Sequence, residues 1–129
     1  MLSERDRRIL DAPNFASLAT VMPDGAPHVS TVWLDVDGEE VLVNTGEGLV
    51  KTENVRRDAR VAISVFDQQD DPYEQVVVRG TVVDITPDGA DEHIDRLANK
   101  YLGVDSYPWR EPGEQRLILR IRIDRVSAG

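Results

Sequence analysis

Residues 15–45 read FASLATVMPDGAPHVSTVWLDVDGEEVLVNT, and this stretch decides the fold. Two turn signals punctuate it, Pro23-Asp24-Gly25 and Asp37-Gly38, whose residues tolerate the positive φ of tight hairpin turns. Around them lie three runs of strand length: Phe15 to Met22, Pro27 to Asp35 and Glu40 to Thr45. The expectation is a three-stranded antiparallel meander. Side chains alternate across a strand, so in the second run Val29, Thr31 and Trp33 share one face, and His28, Ser30, Val32 and Leu34 the other. One face joins the core and the other is free to line a site.

Upstream, Ser3 is placed to cap a short helix, with Asp6 at the reciprocal position of a capping box and Ile9 and Leu10 as the buried face. Pro13 ends it. Downstream of Thr45 the strand rhythm stops at Gly46-Glu47-Gly48, and LVKTENVRRD suits a short helix over the sheet. Arg60 to Asp67 reads as strand, Gln68 to Tyr73 as a polar loop, and Gln75 to Ile85 as a long strand. Pro87 to Leu102 carries Ala90, Ile94, Leu97, Ala98 and Tyr101 at helical spacing, with Gly103 to end it. Leu117, Leu119, Ile121 and Ile123 then alternate with Ile118, Arg120, Arg122 and Asp124 in a last, half-solvated strand. Six strands without a βαβ rhythm predict a mainly β domain over residues 1–129, with short helices and a closed or partly closed antiparallel barrel.

The chain has 129 residues, enough to bury roughly two-thirds of its unfolded surface without staples. It has no cysteine, which excludes disulfides, thiolate metal sites and a cysteine nucleophile. Net charge is −9, from 24 acidic and 15 basic residues, so nucleic acid and anionic lipid are repelled as partners. No apolar run approaches the roughly 20 residues of a membrane span, and MLSERDRRIL has no secretory apolar region. A cytoplasmic location is expected, with no membrane or nucleic-acid partner.

Most catalytic templates are absent. His28 and His93 lie on different elements, and no HExxH, GxSxG or GxxxxGK[ST] motif occurs. Asp67, Asp70 and Asp71 read as a solvated loop without ligand spacing, so no metal site is expected. His93, in an amphipathic helix, reads as a surface or packing residue. The segment NTGEGLVKTENVRRD differs. Two glycines precede a helix whose free N-terminal amides and dipole attract an anion, and Lys51 stands in its first turn. Thr52 can add a hydroxyl and Asn54 an amide. On spacing alone, a phosphate cradle and an ordinary polar helix start are equally good readings.

Several motifs occur in order along the chain: LATV-x-PDG-x-PHVS-x-VW, VNT, K-x-x-N-x-x-RD-x-RV, VRGTV and HIDRLANKYLG, followed by LRIRIDRV. Spanning residues 14–103 and the last strand, they resemble the pyridoxamine 5′-phosphate oxidase-like (PNPOx-like) split β-barrels. The resemblance is to the actinobacterial branch that binds the deazaflavin coenzyme F420. It implies a six-stranded split barrel that forms a homodimer with two equivalent sites at the interface. Ser30, Thr31, Val32 and Trp33 would contact the ring, Asn44 and Thr45 would border it, and Lys51, Thr52 and Asn54 would hold the phosphate. Tyr73 or Trp109 of a partner chain, and the loop Gly103 to Gly113, are candidates to complete the pocket.

One departure bears on the cofactor. FMN-dependent members place Arg and Lys on the strand matching HVSTVWL, and another Arg before the lysine that matches Lys51. Here that strand has only His28, and Val50 precedes Lys51. A single lysine matches the phosphodiester of F420 better than the dianionic phosphate of FMN. The implied activity is hydride transfer from reduced deazaflavin to a small organic acceptor, with His28 as a candidate proton donor. The alternatives are an FMN-binding oxidoreductase of the same fold and a non-catalytic F420 or ligand carrier.

Overall fold

The structure, a computed structural model, describes all residues 1–129. It contains α1 (Glu4–Asp11), β1 (Ala16–Val21), β2 (Pro27–Val32), β3 (Leu34–Asp37), β4 (Glu40–Gly46), α2 (Val50–Arg57), β5 (Arg60–Phe66), β6 (Gln75–Thr86), α3 (Ala90–Leu102) and β7 (Arg116–Ser127). The strands number seven rather than six. They form one antiparallel sheet in the order β2-β1-β5-β6-β7-β4-β3.

The extra strand comes from the decisive stretch. The expected strand Pro27 to Asp35 breaks at Trp33, and its two halves pair with different neighbours. Thr31 on β2 stands opposite Ser17 on β1, whereas Val36 on β3 stands opposite Val41 on β4. The expected three-stranded meander therefore does not form. β2 and β3 are the two edges of the sheet, yet only Trp33 separates them in the chain. Consecutive Cα atoms are about 3.8 Å apart, so the edges must meet at this residue and the sheet must curl on itself. A covalent bend at Trp33 joins the edges where no hydrogen-bonded ladder does.

Inside the curl pack Leu18, Leu34, Val41, Val43, Ile63, Val65, Val76, Val78, Leu119 and Ile121, all buried. Each such side chain contributes about 1.5–3 kcal/mol by leaving water. α1 adds Ile9 and Leu10 to the same core, and its start is a complete capping box: Ser3 Oγ accepts from the Asp6 amide, and the Asp6 carboxylate from the Ser3 amide, both at 3.0 Å. β6 and β7 share the longest ladder, with register shifts at Arg79/Gly80 and Val82/Asp84 that bend it. At Gly80 the strands come so close that a Cβ would lie 2.6 Å from the Arg122 carbonyl oxygen.

α3 covers the outside of the barrel against β4 and β7, burying Ala90, His93, Ile94, Leu97 and Ala98. This explains why β4 is buried on both faces and why Ile118, expected on a solvated face, is only 7% exposed. Leu42, Ala90 and Ile118 form a small second core under the helix. The acidic loop after β5 is also more ordered than a solvated loop: Asp67 is buried and accepts from the amides of Gln69, Asp70 and Asp71.

Candidate functional site

A cavity of about 300 Å3 opens beside the Trp33 bend. Its walls come from seven regions of sequence. β2 and the bend give Thr31, Val32 and Trp33; the end of β4 gives Asn44 and Thr45; the approach to α2 gives Leu49 and Lys51; and β7 begins with Arg116. Ile94 and Leu97 of α3 form the apolar back, and Phe15, Tyr107 and Trp109 complete the wall.

The chain has seven aromatic residues, and five of them gather here. Trp33 stacks on Tyr101 at 5.2 Å, Tyr101 on Phe15 at 5.8 Å, and Trp33 meets Tyr107 edge-on at 6.2 Å and Trp109 at a 45° tilt at 6.3 Å. Phe15, Leu49 and Trp109 line the cavity while remaining 45–59% exposed, so the mouth is apolar and open. Flat apolar walls of this kind accept a planar ring system.

The electrostatics are of one sign. In a chain of net charge −9, the cavity wall holds Lys51 and Arg116 and no carboxylate. Glu47 and Glu53, the acids nearest Lys51 in sequence, are both bound by Arg56. Lys51 itself makes no ion pair. Its ammonium is held below the ordinary lysine range, first by partial burial and then by repulsion from the Arg116 guanidinium. Lys51 is the second residue of α2, which has no side-chain cap, so the amides of the first turn are unpaired and the positive end of the helix dipole adds to both cations. An anion would relieve the repulsion and satisfy the amides together. The donor set therefore fits a phosphate group.

The structure brings six of the predicted residues to this one cavity: Thr31, Val32, Trp33, Asn44, Thr45 and Lys51. Ser30 and His28 lie on the opposite face of β2 from Thr31, as the strand alternation requires; His28 Nδ1 and Ser30 Oγ are buried there without partners. His28 lies outside the cavity wall of its own chain. Thr52 and Asn54 also lie outside it, a correction to their expected place at the phosphate. Thr52 is fully buried, donates to the Gly46 carbonyl at 2.7 Å and meets Thr45 Oγ1 at 3.1 Å. Asn54 donates to Thr20 Oγ1 and Met22 Sδ and accepts from Arg57, which ties α2 to β1. Both groups hold the helix that carries Lys51 and are not free for a phosphate.

Trp109 reaches the pocket from its own chain, and Tyr73 is 93% exposed outside the wall. Sequence reasoning missed Arg116, whereas Tyr107 falls in the loop Gly103 to Gly113 that was expected to help complete the pocket. Arg116 appears as one more arginine before a strand, and only the β4–β7 pairing, with Arg116 opposite Gly46, brings it to the α2 approach. His93 was expected at the surface or in packing; it is a packing residue, fully buried, with both ring nitrogens engaged.

Residues 2–128 match the family model described as pyridoxamine 5′-phosphate oxidase. The chain belongs to this family. A curated relative, the pyridoxine/pyridoxamine 5′-phosphate oxidase of Erythrobacter litoralis, is 32% identical over 121 residues, covering 92% of this chain and 55% of the relative. The chain thus spans about half the length of that enzyme. Among solved structures, an F420 reductase superposes with a TM-score of 0.83 at 33% identity, covering 95% of this chain and 96% of the other. A FAD-binding protein of Mesorhizobium loti superposes with a TM-score of 0.67 at 22% identity, covering 97% and 92%, which bears on the fold alone.

Proposed function

We propose that the protein is an oxidoreductase that binds coenzyme F420 in the Trp33–Lys51 cavity and passes a hydride to a small organic acceptor. The observation that carries the reading is the pairing of two cations, Lys51 and Arg116, in a wall lined by no carboxylate, with a set of aromatic rings in one cavity. The near full-length similarity to an F420 reductase supports F420 as the occupant. When bound, the deazaflavin supplies the hydride chemistry itself.

The chain's own residues bind and orient. Lys51, Arg116 and the first-turn amides of α2 hold the phosphate. β2 is an edge strand, so backbone N–H and C=O groups on its outer side are open to the polar rim of a ring lying against Thr31 and Val32. Trp33, Ile94 and Leu97 exclude water from one side of that ring. The other side is open, and we place the acceptor there, under Tyr107 and Trp109. A second copy of the chain would complete the site over the exposed Phe15, Leu49 and Trp109, making the working unit a homodimer.

A second reading, with FMN as the cofactor, is favoured by one observation. Arg116 supplies the second cation that the sequence argument from a lone Lys51 lacked, so charge alone no longer disfavours a dianionic phosphate. Tryptophan-fluorescence titration with F420 and with FMN separates the readings, because both tryptophans, Trp33 and Trp109, line the cavity. Binding of F420 that is lost in Lys51→Ala supports the first reading, to be followed by oxidation of reduced F420 against a panel of quinones and enones. Binding of FMN alone supports the second, and binding of neither rejects both.

A further inference from the structure

Four polar side chains form an unbroken line from the cavity wall to the far surface of the barrel. Arg116 Nε donates to Asn44 Oδ1 at 2.8 Å. Asn44 Nδ2 donates to the Ala90 carbonyl at 2.9 Å and lies 3.1 Å from His93 Nδ1. His93 Nε2 lies 2.8 Å from Asp35 Oδ1. His93 is fully buried and Asn44 is 7% exposed, while Asp35 opens on a separate polar cavity beside Glu92, Arg96 and Arg120.

The directions of these bonds admit one arrangement. Arg116 Nε can only donate, so Asn44 must turn its oxygen toward it. The two amide hydrogens of Asn44 then point at Ala90 and His93. His93 Nδ1 must accept, which leaves the ring proton on Nε2, where Asp35 accepts it. Turning the amide over would break the bonds to Arg116 and Ala90 together. We propose that His93 is a positioning residue that, through Asn44, fixes the Arg116 guanidinium beside Lys51, its two terminal nitrogens making no hydrogen bond to the protein and so available to an oxyanion.

Two further contacts fit this role. The guanidinium lies over the Tyr107 ring at 5.4 Å, which holds its plane, and its only acid neighbour, Glu114, is 3.8 Å away. Asp35 and His93 thus reach the anion corner through one amide. The inference rests on the anion-site part of the reading above and is indifferent to which phosphate-bearing cofactor occupies it.

The test has two arms. In the unmodified protein, long-range 1H–15N correlation of the imidazole nitrogens is expected to place the proton of His93 on Nε2; a proton on Nδ1 overturns the proposal. The second arm uses inorganic pyrophosphate as probe, read by tryptophan fluorescence. His93→Leu is expected to weaken pyrophosphate binding roughly tenfold, Arg116→Ala by a similar factor, and the double variant by no more than either alone. His93→Gln, whose carbonyl can accept from Asn44 and whose amide can donate to Asp35, is expected to bind within about twofold of the unmodified protein. Unchanged affinity in a folded His93→Leu, or losses that add in the double variant, rejects the inference. If His93→Leu does not fold, the tautomer and the comparison of His93→Gln with Arg116→Ala decide. Failure of F420 to bind leaves both arms readable, whereas absence of pyrophosphate binding rejects the anion site and the proposal with it.

Discussion

The rings of Trp33 and Tyr101 stack 5.2 Å apart and within 6° of parallel, so the single residue between the two sheet edges is held by α3. The Tyr101 hydroxyl also accepts from the Leu34 amide at 3.2 Å and donates to the Asn14 carbonyl at 2.8 Å. Burial, reinforced by the charge of Asp35, raises this phenol to about 12, so it stays a donor throughout the neutral range. Tyr101→Phe keeps the stack and removes both bonds. A loss of about 1–3 kcal/mol is expected in urea unfolding, with the cavity retained. A cost near zero would mean that the hydroxyl does not hold the bend.

Lys51→Ala is expected to leave the unfolding midpoint nearly unchanged, whereas Arg116→Ala strips the buried Asn44 Oδ1 of its donor and is expected to cost about 1–3 kcal/mol; each is expected to weaken a phosphate-bearing cofactor by roughly ten- to hundredfold. The pH dependence has a definite sign. Anion binding favours the protonated ammonium of Lys51, so binding takes up protons, and affinity falls as pH rises through the lowered pKa of this lysine. Fluorescence titration across the alkaline range checks it: the fall is expected in the unmodified protein and much reduced in Lys51→Ala.

Thr52→Val should behave in the opposite way. Its hydroxyl bonds Gly46 and Thr45 inside the protein, so the variant is expected to lose about 1–2 kcal/mol of stability while cofactor affinity changes far less than in Lys51→Ala. A large affinity loss with unchanged stability would return Thr52 to the phosphate site.

Lys100 gives a second pH signature. Its ammonium donates to the Leu10 and Leu34 carbonyls, and burial lowers it to about 8 despite the attraction of Asp35 and Asp11. Between about 8 and the ordinary lysine value, the unfolded chain binds more protons at this site than the folded one. Its contribution to stability therefore rises with pH across that window and is flat below it. The stability of the unmodified protein relative to Lys100→Met is expected to rise from pH 7.5 to 10; a pH-independent difference would contradict the assignment.

Gly80→Ala is expected to cost about 1–3 kcal/mol, because its Cβ would meet the Arg122 backbone and Ile121 Cγ2 and push β6 off β7. Gly25→Ala is the control. There the added Cβ touches nothing, and only the left-handed backbone at φ 88° resists it.

Much of this architecture was legible because its signals are local. The Ser3–Asp6 box, the turns at Gly25 and Gly38 and the helical stripe of α3 each depend on residues within a few positions of one another. The break at Trp33 was not legible, since Val32-Trp33-Leu34 continues an unbroken strand pattern and only the separate pairing of its two sides reveals the bend. The site divides in the same way. Lys51 announces itself beside glycines at a helix start, whereas Arg116 joins it through a ladder between β4 and β7, more than sixty residues away in the chain. Thr52 and Asn54 misled for a physical reason: spacing along a short helix does not say which of its faces is pressed against β1.

The one-residue seam at Trp33 also divides the molecule into parts with unequal freedom to change. Residues 31–33 serve the barrel's closure and the cavity wall at once, so a substitution there is judged by folding and by ligand together. Tyr107 and Trp109 sit outside every ladder, on a connection held to α3 by the bonds of Asp95 to the Tyr107 amide and to Arg110. Divergence in what the cavity accepts is therefore expected to accumulate on that connection, while the seam stays constant and keeps the cofactor's place.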